Sequence, residues 1–418
     1  MDVRPITLCL ALGMMLGFAV AARAQYNVTL LQDAGGQGLN ETVAINPSGQ
    51  SVGYSDIAGG GDEAVLWSTS GAPTALQPSG PPFPYWDAVA INASGQSVGY
   101  SQSVQGMKGR AVLWSPTGTA TLLQAVDGAT KSTANAINAS GQSVGSSGGV
   151  AVLWSPSGVP TTLRDPGGAG ASSAVAINAS GQSVGSSDGR AVLWSPSGGA
   201  TKLRDPSGGT GASSAVAINA SGHSVGFAAT KRGYDAVRWS PSGAPTVLAD
   251  AGGQGFSQAV AENNHGLSIG FSYTKTGRQE AVLWSPSGAA TVLKALGGPD
   301  DEPLAINLSG ESVGNTPSST DAVLWSASGT ATDLGAFLGS GWVWSEAVGI
   351  NGKGDIIGYG DFEGEQRGFL LTPVSSAPFS VAAVPEVNTW ELFVVGFAGL
   401  GFAGFRSAPK GRAAGATA

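Results

Sequence analysis

Side chains able to do acid–base, nucleophilic or metal chemistry are sparse in this sequence, and most of them recur. Asp33, Asp165, Asp205 and Asp250 each stand two residues beyond a short apolar piece ending in Leu, and each precedes a Gly-rich stretch. A ring of such carboxylates on one face could hold Ca²⁺ or the hydroxyls of a polyhydroxy ligand. Hydrolysis of a glycosidic bond asks for something else, namely two acids in different environments. Equivalent acids suit turns, in which each side chain accepts local N–H bonds. Asp300-Asp301-Glu302 reads as a solvated loop. His223 and His265 are the only two histidines, and both replace residues of a repeated turn that other copies form without histidine. Nothing marks a carboxylate to orient either ring, as a Ser–His arrangement requires. The single cysteine, Cys9, lies in an N-terminal apolar run, so no thiolate nucleophile and no disulfide are expected beyond it. No zinc, P-loop or EF-hand spacing occurs. The sequence names no catalytic residue and no metal site, and Ca²⁺ on the Asp series is the one cofactor it suggests.

The elements that carry these residues are repeats. Ile-Asn-Ala-Ser-Gly-Gln-Ser-Val-Gly occurs three times, beginning at Ile91, Ile137 and Ile177, and nearly again at Ile218. The Asn recurs at Asn46, Asn92, Asn138, Asn178, Asn219, Asn263, Asn307 and Asn351, giving eight units spaced 40 to 46 residues apart. Self-similarity at this period is typical of stacked supersecondary units. Each unit holds four short apolar pieces, seen in unit 4 as Ala174–Asn178, Ser183–Gly185, Ala191–Ser195 and Thr201–Leu203. They are too short for typical helices and are divided by turn chemistry, so they read as strands. Ala-Ser-Gly supplies a hairpin glycine. Ser-Pro-Ser-Gly carries type I turn preferences. Ala-Val-Ala-Ile and Ala-Val-Leu-Trp do not alternate, so both faces of each small sheet are expected to be covered.

Four strands per unit at this period predict an all-β fold, an eight-bladed β-propeller of four-stranded antiparallel blades. A β-solenoid is the alternative. The chain ends support the ring: Tyr26–Leu31 matches a fourth piece, whereas the last unit stops at its third, Gly368–Pro373. The N-terminal strand is expected to fill that gap and leave no open edge. Trp67, Trp114, Trp154, Trp194, Trp239, Trp284 and Trp325 recur in the third strand, with Leu371 in the last unit. They are expected in the core, where each contributes up to roughly 4–6 kcal/mol by buried area. Asn92, Asn138, Asn178, Asn219 and Asn307 lie in Asn-x-Ser triplets and read as strand-end residues rather than glycan acceptors.

Composition bounds the partners. The 418 residues are 42% hydrophobic and 11% charged, with 66 glycines and a net charge of −8. That apolar content supports a large core. No basic stripe is present, so nucleic acid is not an expected partner. Residues 1–24 read as a signal peptide: Arg4, an apolar run from Ile6 to Val20, then Ala22-Arg23-Ala24 before Gln25. The propeller is expected over 25–373 and a linker over 374–383. A different segment follows over 384–412, with a short tail over 413–418. Val384-Pro385-Glu386 opens it, Thr389-Trp390 leads into apolar Leu392–Phe405, and Arg406, Lys410 and Arg412 close it. An apolar span capped by basic residues reads as a membrane segment with its C-terminus cytoplasmic or, alternatively, as a docked terminal helix. Its helical length of ~21 Å falls short of a ~30 Å hydrocarbon core.

The tail resembles the PEP-CTERM sorting signal of Gram-negative bacteria. Val384, Pro385 and Glu386 stand at the recognition motif, and Val387 where that family usually has a second proline. The resemblance implies an exosortase-type processing enzyme, transient anchoring at the inner membrane, and release to the cell surface or medium. Residues 26–373 resemble the extracellular HAF-repeat family through their Ala-x-x-Ile-Asn, Gly-x-x-Val-Gly and Leu-Trp blocks. The namesake His-Ala-Phe is replaced by Arg-Ala-Val at Arg110 and Arg190, and by an acid before Ala-Val at Glu63, Asp235, Glu280 and Asp321. Phe369 alone keeps the Phe. That family implies secretion and no settled activity. The expected function is an exported, non-enzymatic protein of the cell envelope or extracellular matrix. It would bind polysaccharide or envelope protein through loops between second and third strands, such as Gln102–Gly109 and Ala228–Tyr234. The alternative is a propeller hydrolase or lyase using Asp or Glu near the central channel.

Overall fold

The computed structural model describes residues 25–374 apart from 77–83, 104–108, 168–169, 209–210, 298–299 and 317–320. The expected signal (1–24), the linker beyond Val374, the sorting segment (384–412) and the tail (413–418) lie outside the described residues. So do Val104–Lys108 of one expected contact loop.

Among the described residues the strands fall into eight four-stranded antiparallel units, each in the order first, second, third, fourth. Single parallel bridges, Asp62 to Tyr85 and Tyr234 to Phe256, join units 1 with 2 and 5 with 6. Every first strand touches the first strands of both neighbouring units, and that of unit 8 (Trp342–Ile350) touches that of unit 1 (Gly36–Ile45). The first strands therefore surround an axis and the fourth strands lie outermost. This is the arrangement of a propeller, and the described residues are all-β apart from a four-residue α-helix, Gly335–Leu338, and a three-residue 3-10 turn.

Closure follows the expected route. Tyr26–Leu30 pairs antiparallel with Glu365–Pro373, from Tyr26 opposite Pro373 to Leu30 opposite Phe369. Leu31 is fully buried, and its N–H donates to the Gly368 carbonyl at 2.9 Å. A Gly occupies the second strand where the first strand passes closest. A Cβ on Gly145 would lie 1.9 Å from the Thr133 carbonyl oxygen, opposite a bulge between Ala134 and Ala136.

Each apolar cluster spans two units. Leu66 of unit 1 packs in one cluster with Ile91 and Trp114 of unit 2, and Leu370 of unit 8 packs with Ile45 and Trp67 of unit 1. All seven repeat tryptophans are fully buried. The indole N–H groups of Trp67, Trp154, Trp194, Trp239, Trp284 and Trp325 cross seams, as Trp154 does to the Gln124 carbonyl at 2.8 Å and Trp67 to Gln32 at 2.8 Å. Seams carry a second polar lock where a first-strand Ser accepts the third-strand N–H of the preceding unit, as Ser172 does from Ala151 at 2.9 Å. The two-faced burial that non-alternating strands demand is thus supplied by neighbours.

Deletion of Gln25–Gln32 removes the outer strand of unit 8, the Leu31 side chain and the Trp67 acceptor together. The melting temperature of the whole chain is expected to fall sharply in calorimetry, since burying Leu31 alone contributes about 2–5 kcal/mol. An unchanged melt would contradict closure by this strand.

Candidate functional site

Along each first strand the repeated Asn marks one end of the channel. Asn138 illustrates its use. Its Oδ1 accepts the N–H groups of Ser140 at 3.1 Å and Gln142 at 3.0 Å, which shapes the turn. Its Nδ2 donates to Gln142 Oε1 at 2.9 Å and crosses to the Asn178 carbonyl at 3.2 Å. The same crossing bond runs from Asn46 to Asn92, Asn92 to Asn138, Asn178 to Asn219, Asn263 to Asn307, Asn307 to Asn351, and Asn351 to Asn46. These side chains are buried parts of the scaffold, in keeping with their reading as strand-end residues. Asn138→Ala is expected to lose about 1–3 kcal/mol in urea unfolding, because it strands buried partners on two units.

The Asp series sits at the other end, and the structure does not bring the four carboxylates together. Each closes its own connector. Asp33 accepts N–H bonds from Gly35 at 2.9 Å and Gly38 at 2.6 Å, and the Ser55 hydroxyl at 2.6 Å. Asp165 takes Gly167, Gly170 and the Ser187 hydroxyl. Asp250 repeats the pattern with Gly252, Gly255 and Ser272, and Asp205 with Ser207 and Gly211. Burial opposes ionisation of Asp33 and Asp250, but the Ser hydroxyls and glycine N–H groups outweigh it and hold both below the usual carboxylate range. Among the described residues no three His, Cys, Asp or Glu side chains form a group able to hold a metal ion.

Asp300-Asp301-Glu302 is not the solvated loop its sequence suggests. Asp301 is 3% exposed, and Glu302 opens the first strand of unit 7, Glu302–Ile306. Burial, then Asp300 and Glu280, push the Asp301 carboxyl up to about 6, against the pull of Arg278. Ala228–Tyr234 also differs from expectation. It is a tight hairpin, with strand up to Thr230 and from Gly233.

The seam between units 5 and 6 breaks the repeat. Elsewhere a third-strand Leu meets an Ile of the next unit; here the pair is Arg238 and Glu262, bonded Nε to Oε1 at 2.6 Å. Glu262 is fully buried and its Oε2 has no partner. Burial raises its carboxyl to about 7 despite the attraction of Arg238. His223 stands beside this pair, and burial and Arg238 lower its pKa. His265 lies in the next turn, with Nδ1 3.0 Å from the Leu308 carbonyl, and Asn264 Oδ1 accepts the Ala220 N–H at 2.9 Å. His265 thus serves a contact between turns, whereas His223 Nδ1 is buried without a hydrogen-bond partner. Arg238→Leu with Glu262→Ile restores the apolar pair and is expected to stabilise the chain by about 1–4 kcal/mol, whereas Glu262→Ile alone loses about 3–5 kcal/mol. Because the folded pKa of Glu262 is raised, its contribution is full below about pH 4.5 and is lost as pH rises through about 7. Glu262→Gln should remove that part of the pH dependence in denaturant titrations from pH 4 to pH 8.

The second departure lies five residues before each Asn, ~16 Å down the first strand at ~3.3 Å per residue. Four consecutive units around the ring carry acids there: Glu302, Glu346, Glu41 and Asp87. The other four units carry Thr133, Ser173, Ser214 and Gln258. Opposite three of the acids the second strand places tyrosines: Tyr359, Tyr54 and Tyr100. Tyr54 donates to Glu41 Oε2 at 2.6 Å, Gln366 of unit 8 donates to the same oxygen at 2.9 Å, and Tyr359 donates to Glu346 Oε2 at 3.3 Å. Burial, then Glu302, raises the Glu346 carboxyl against bonds from Asn315 and Tyr359. Burial and the Glu346 charge likewise push the Tyr359 phenol up. The result is a half-buried arc of carboxylates and phenols around the inner edge of units 7, 8, 1 and 2. Sequence reasoning missed both the arc and the Arg238–Glu262 pair. Aligning the repeats column by column would have shown each.

No protein-family model matches the chain, and no curated protein matches it. Among solved structures the chain is similar to virginiamycin B lyase from Staphylococcus aureus, at 11% identity over 84% of this chain and 99% of that one, with a TM-score of 0.43. A catalytically inactive form of that lyase with quinupristin gives 10% identity over 84% and 100%, at 0.46. A streptogramin B lyase gives 9% over 84% and 98%, at 0.45. None of these likenesses bears on the chemistry of this chain. Among the described residues no helix is long and apolar enough to cross a membrane.

Proposed function

We propose that this chain is an exported, non-enzymatic binding protein of the cell envelope or extracellular matrix that holds polysaccharide on the face opposite the Asn turns. The observation that carries the reading is where the units stop repeating. The Trp, Asn and Asp of the repeat are consumed by seams, turns and connectors. Carboxylates and phenols that vary between units gather at the inner end of the other face. Carboxylates spaced around an arc accept pairs of sugar hydroxyls, and tyrosines offer an apolar ring with a polar tip. The tail, through Val384, Pro385 and Glu386, supports delivery by an exosortase-type enzyme after transient residence of 384–412 in the inner membrane. Arg406, Lys410 and Arg412 would mark its cytoplasmic edge.

A hydrolase or lyase is the second reading, favoured by one feature: Glu346 is held more protonated than an ordinary carboxyl beside other acids. The two readings separate on one pair of variants. For a binding protein, Glu41→Gln with Glu346→Gln weakens the glycan found in an array screen by about tenfold, or about 1.4 kcal/mol. No bond is cleaved by either form. For an enzyme, Glu346→Gln abolishes release of reducing ends while binding survives. Absence of any glycan ligand for the intact chain would sink both.

A further inference from the structure

Units 5 and 6 carry a further departure from the repeat on the same face. Five aromatic rings, Phe227, Tyr234, Phe256, Phe271 and Tyr273, contact one another outside the main seam core. Phe227 meets Tyr234 at 5.6 Å between centroids, Tyr234 meets Phe256 at 6.2 Å, and Phe256 meets Tyr273 at 5.2 Å, all near edge-to-face. The core of this seam is already filled by Val225, Ala236, Leu248, Ala259, Val282 and Trp284. Tyr234 remains 38% and Phe256 41% exposed. Two adjacent hairpin tips flank the rings and hold Lys231, Arg232, Lys275 and Arg278, all exposed. These are four of only 20 Lys and Arg in a chain of net charge −8. Acids answer the two arginines: buried Asp235 ties Arg232 at 3.3 Å, Asp301 attracts Arg278, and Asp300 accepts the Gln279 N–H at 3.1 Å, so the cations the lip offers are Lys231 and Lys275.

We infer that this lip of units 5 and 6 binds an anionic polysaccharide, with Tyr234 and Phe256 against the apolar faces of the sugar rings and Lys231 and Lys275 against their carboxylates. The inference rests on the reading that this face holds a glycan, and it names the glycan's charge and its seat. Exposed rings bring large contact area at low entropy cost. The cations are the complement of a polyanion's carboxylates, which the acidic arc on units 7, 8, 1 and 2 disfavours, so the carboxylates seat at the lip while sugar hydroxyls face the arc. A neutral glycan would gain nothing from the tips.

The test uses the full chain with polygalacturonate, dextran, phosphatidylglycerol vesicles and single-stranded DNA as probes. Polygalacturonate should bind, weaken as salt rises from about 50 to about 500 mM, and outcompete dextran. Lys231→Glu with Lys275→Glu, both exposed and away from the core, should weaken it by about tenfold with the melt unchanged. Tyr234→Ala with Phe256→Ala should weaken it at every salt concentration. Unchanged affinity in the lysine variant overturns the inference, as does equal binding of dextran or a preference for vesicles or DNA. If Glu41→Gln with Glu346→Gln abolishes glycan binding while the lip variants leave it intact, the inference falls and the function proposed above stands.

Discussion

The Asn amide that reaches from one turn to the carbonyl of the next Asn is the bond on which this molecule depends. A four-stranded sheet of three- to ten-residue strands cannot bury both of its faces alone. It needs a neighbour on each side at a fixed distance and rotation. The Asn sets both at once, because its oxygen is committed to its own turn while its nitrogen is committed to the next. From Asn351 to Asn46 the same bond joins the last unit to the first, across 305 residues of sequence. Indole N–H groups, and first-strand serine hydroxyls at five seams, repeat that logic further out. Low dielectric inside the seams strengthens such bonds and makes any orphaned member costly, which is why the nine-residue motif is copied so faithfully.

Faithful copying also separates scaffold from recognition. Residues that hold seams cannot vary without stranding a partner. Apart from the Arg238–Glu262 pair inside one seam, the variation described above lies on the face away from the Asn turns. There the ring is divided by charge. Acids and phenols run through units 7, 8, 1 and 2; rings and basic tips occupy units 5 and 6. A polymer meeting this face would find two chemically distinct seats, and a sugar's hydroxyls and carboxylates sort between them.

The strands, the four-strand unit, the buried tryptophans and the closing N-terminal strand were legible in the sequence, because each is a local pattern repeated many times. The connector aspartates were legible as turn formers, since Asp followed by glycines has few other uses. Three things were not. Asp301 reads as a loop acid because burial depends on the neighbouring unit. Glu41, Asp87, Glu302 and Glu346 lie scattered over much of the chain, and only the ring makes them neighbours. Arg238 and Glu262 look like isolated surface charges until a third strand is placed against the next first strand. Each miss is a contact across a seam, and periodicity within one unit cannot report it.

That last pair shows what ring closure permits. In seven seams the third-strand position is an apolar side chain packed on an isoleucine; in the remaining one it is a guanidinium on a fully buried carboxylate. Replacing an apolar contact by a buried ion pair forfeits burial and adds desolvation. In an open stack such a seam would be the place where the array splits. In a ring the two units on either side are held at high effective concentration by every other seam, so the weak one need not hold itself closed. The ring's continuity thus tolerates polar chemistry inside one seam. That seam belongs to the same two units that carry the exposed rings and basic tips, so polar chemistry inside the seam and departure from the repeat at the surface coincide there.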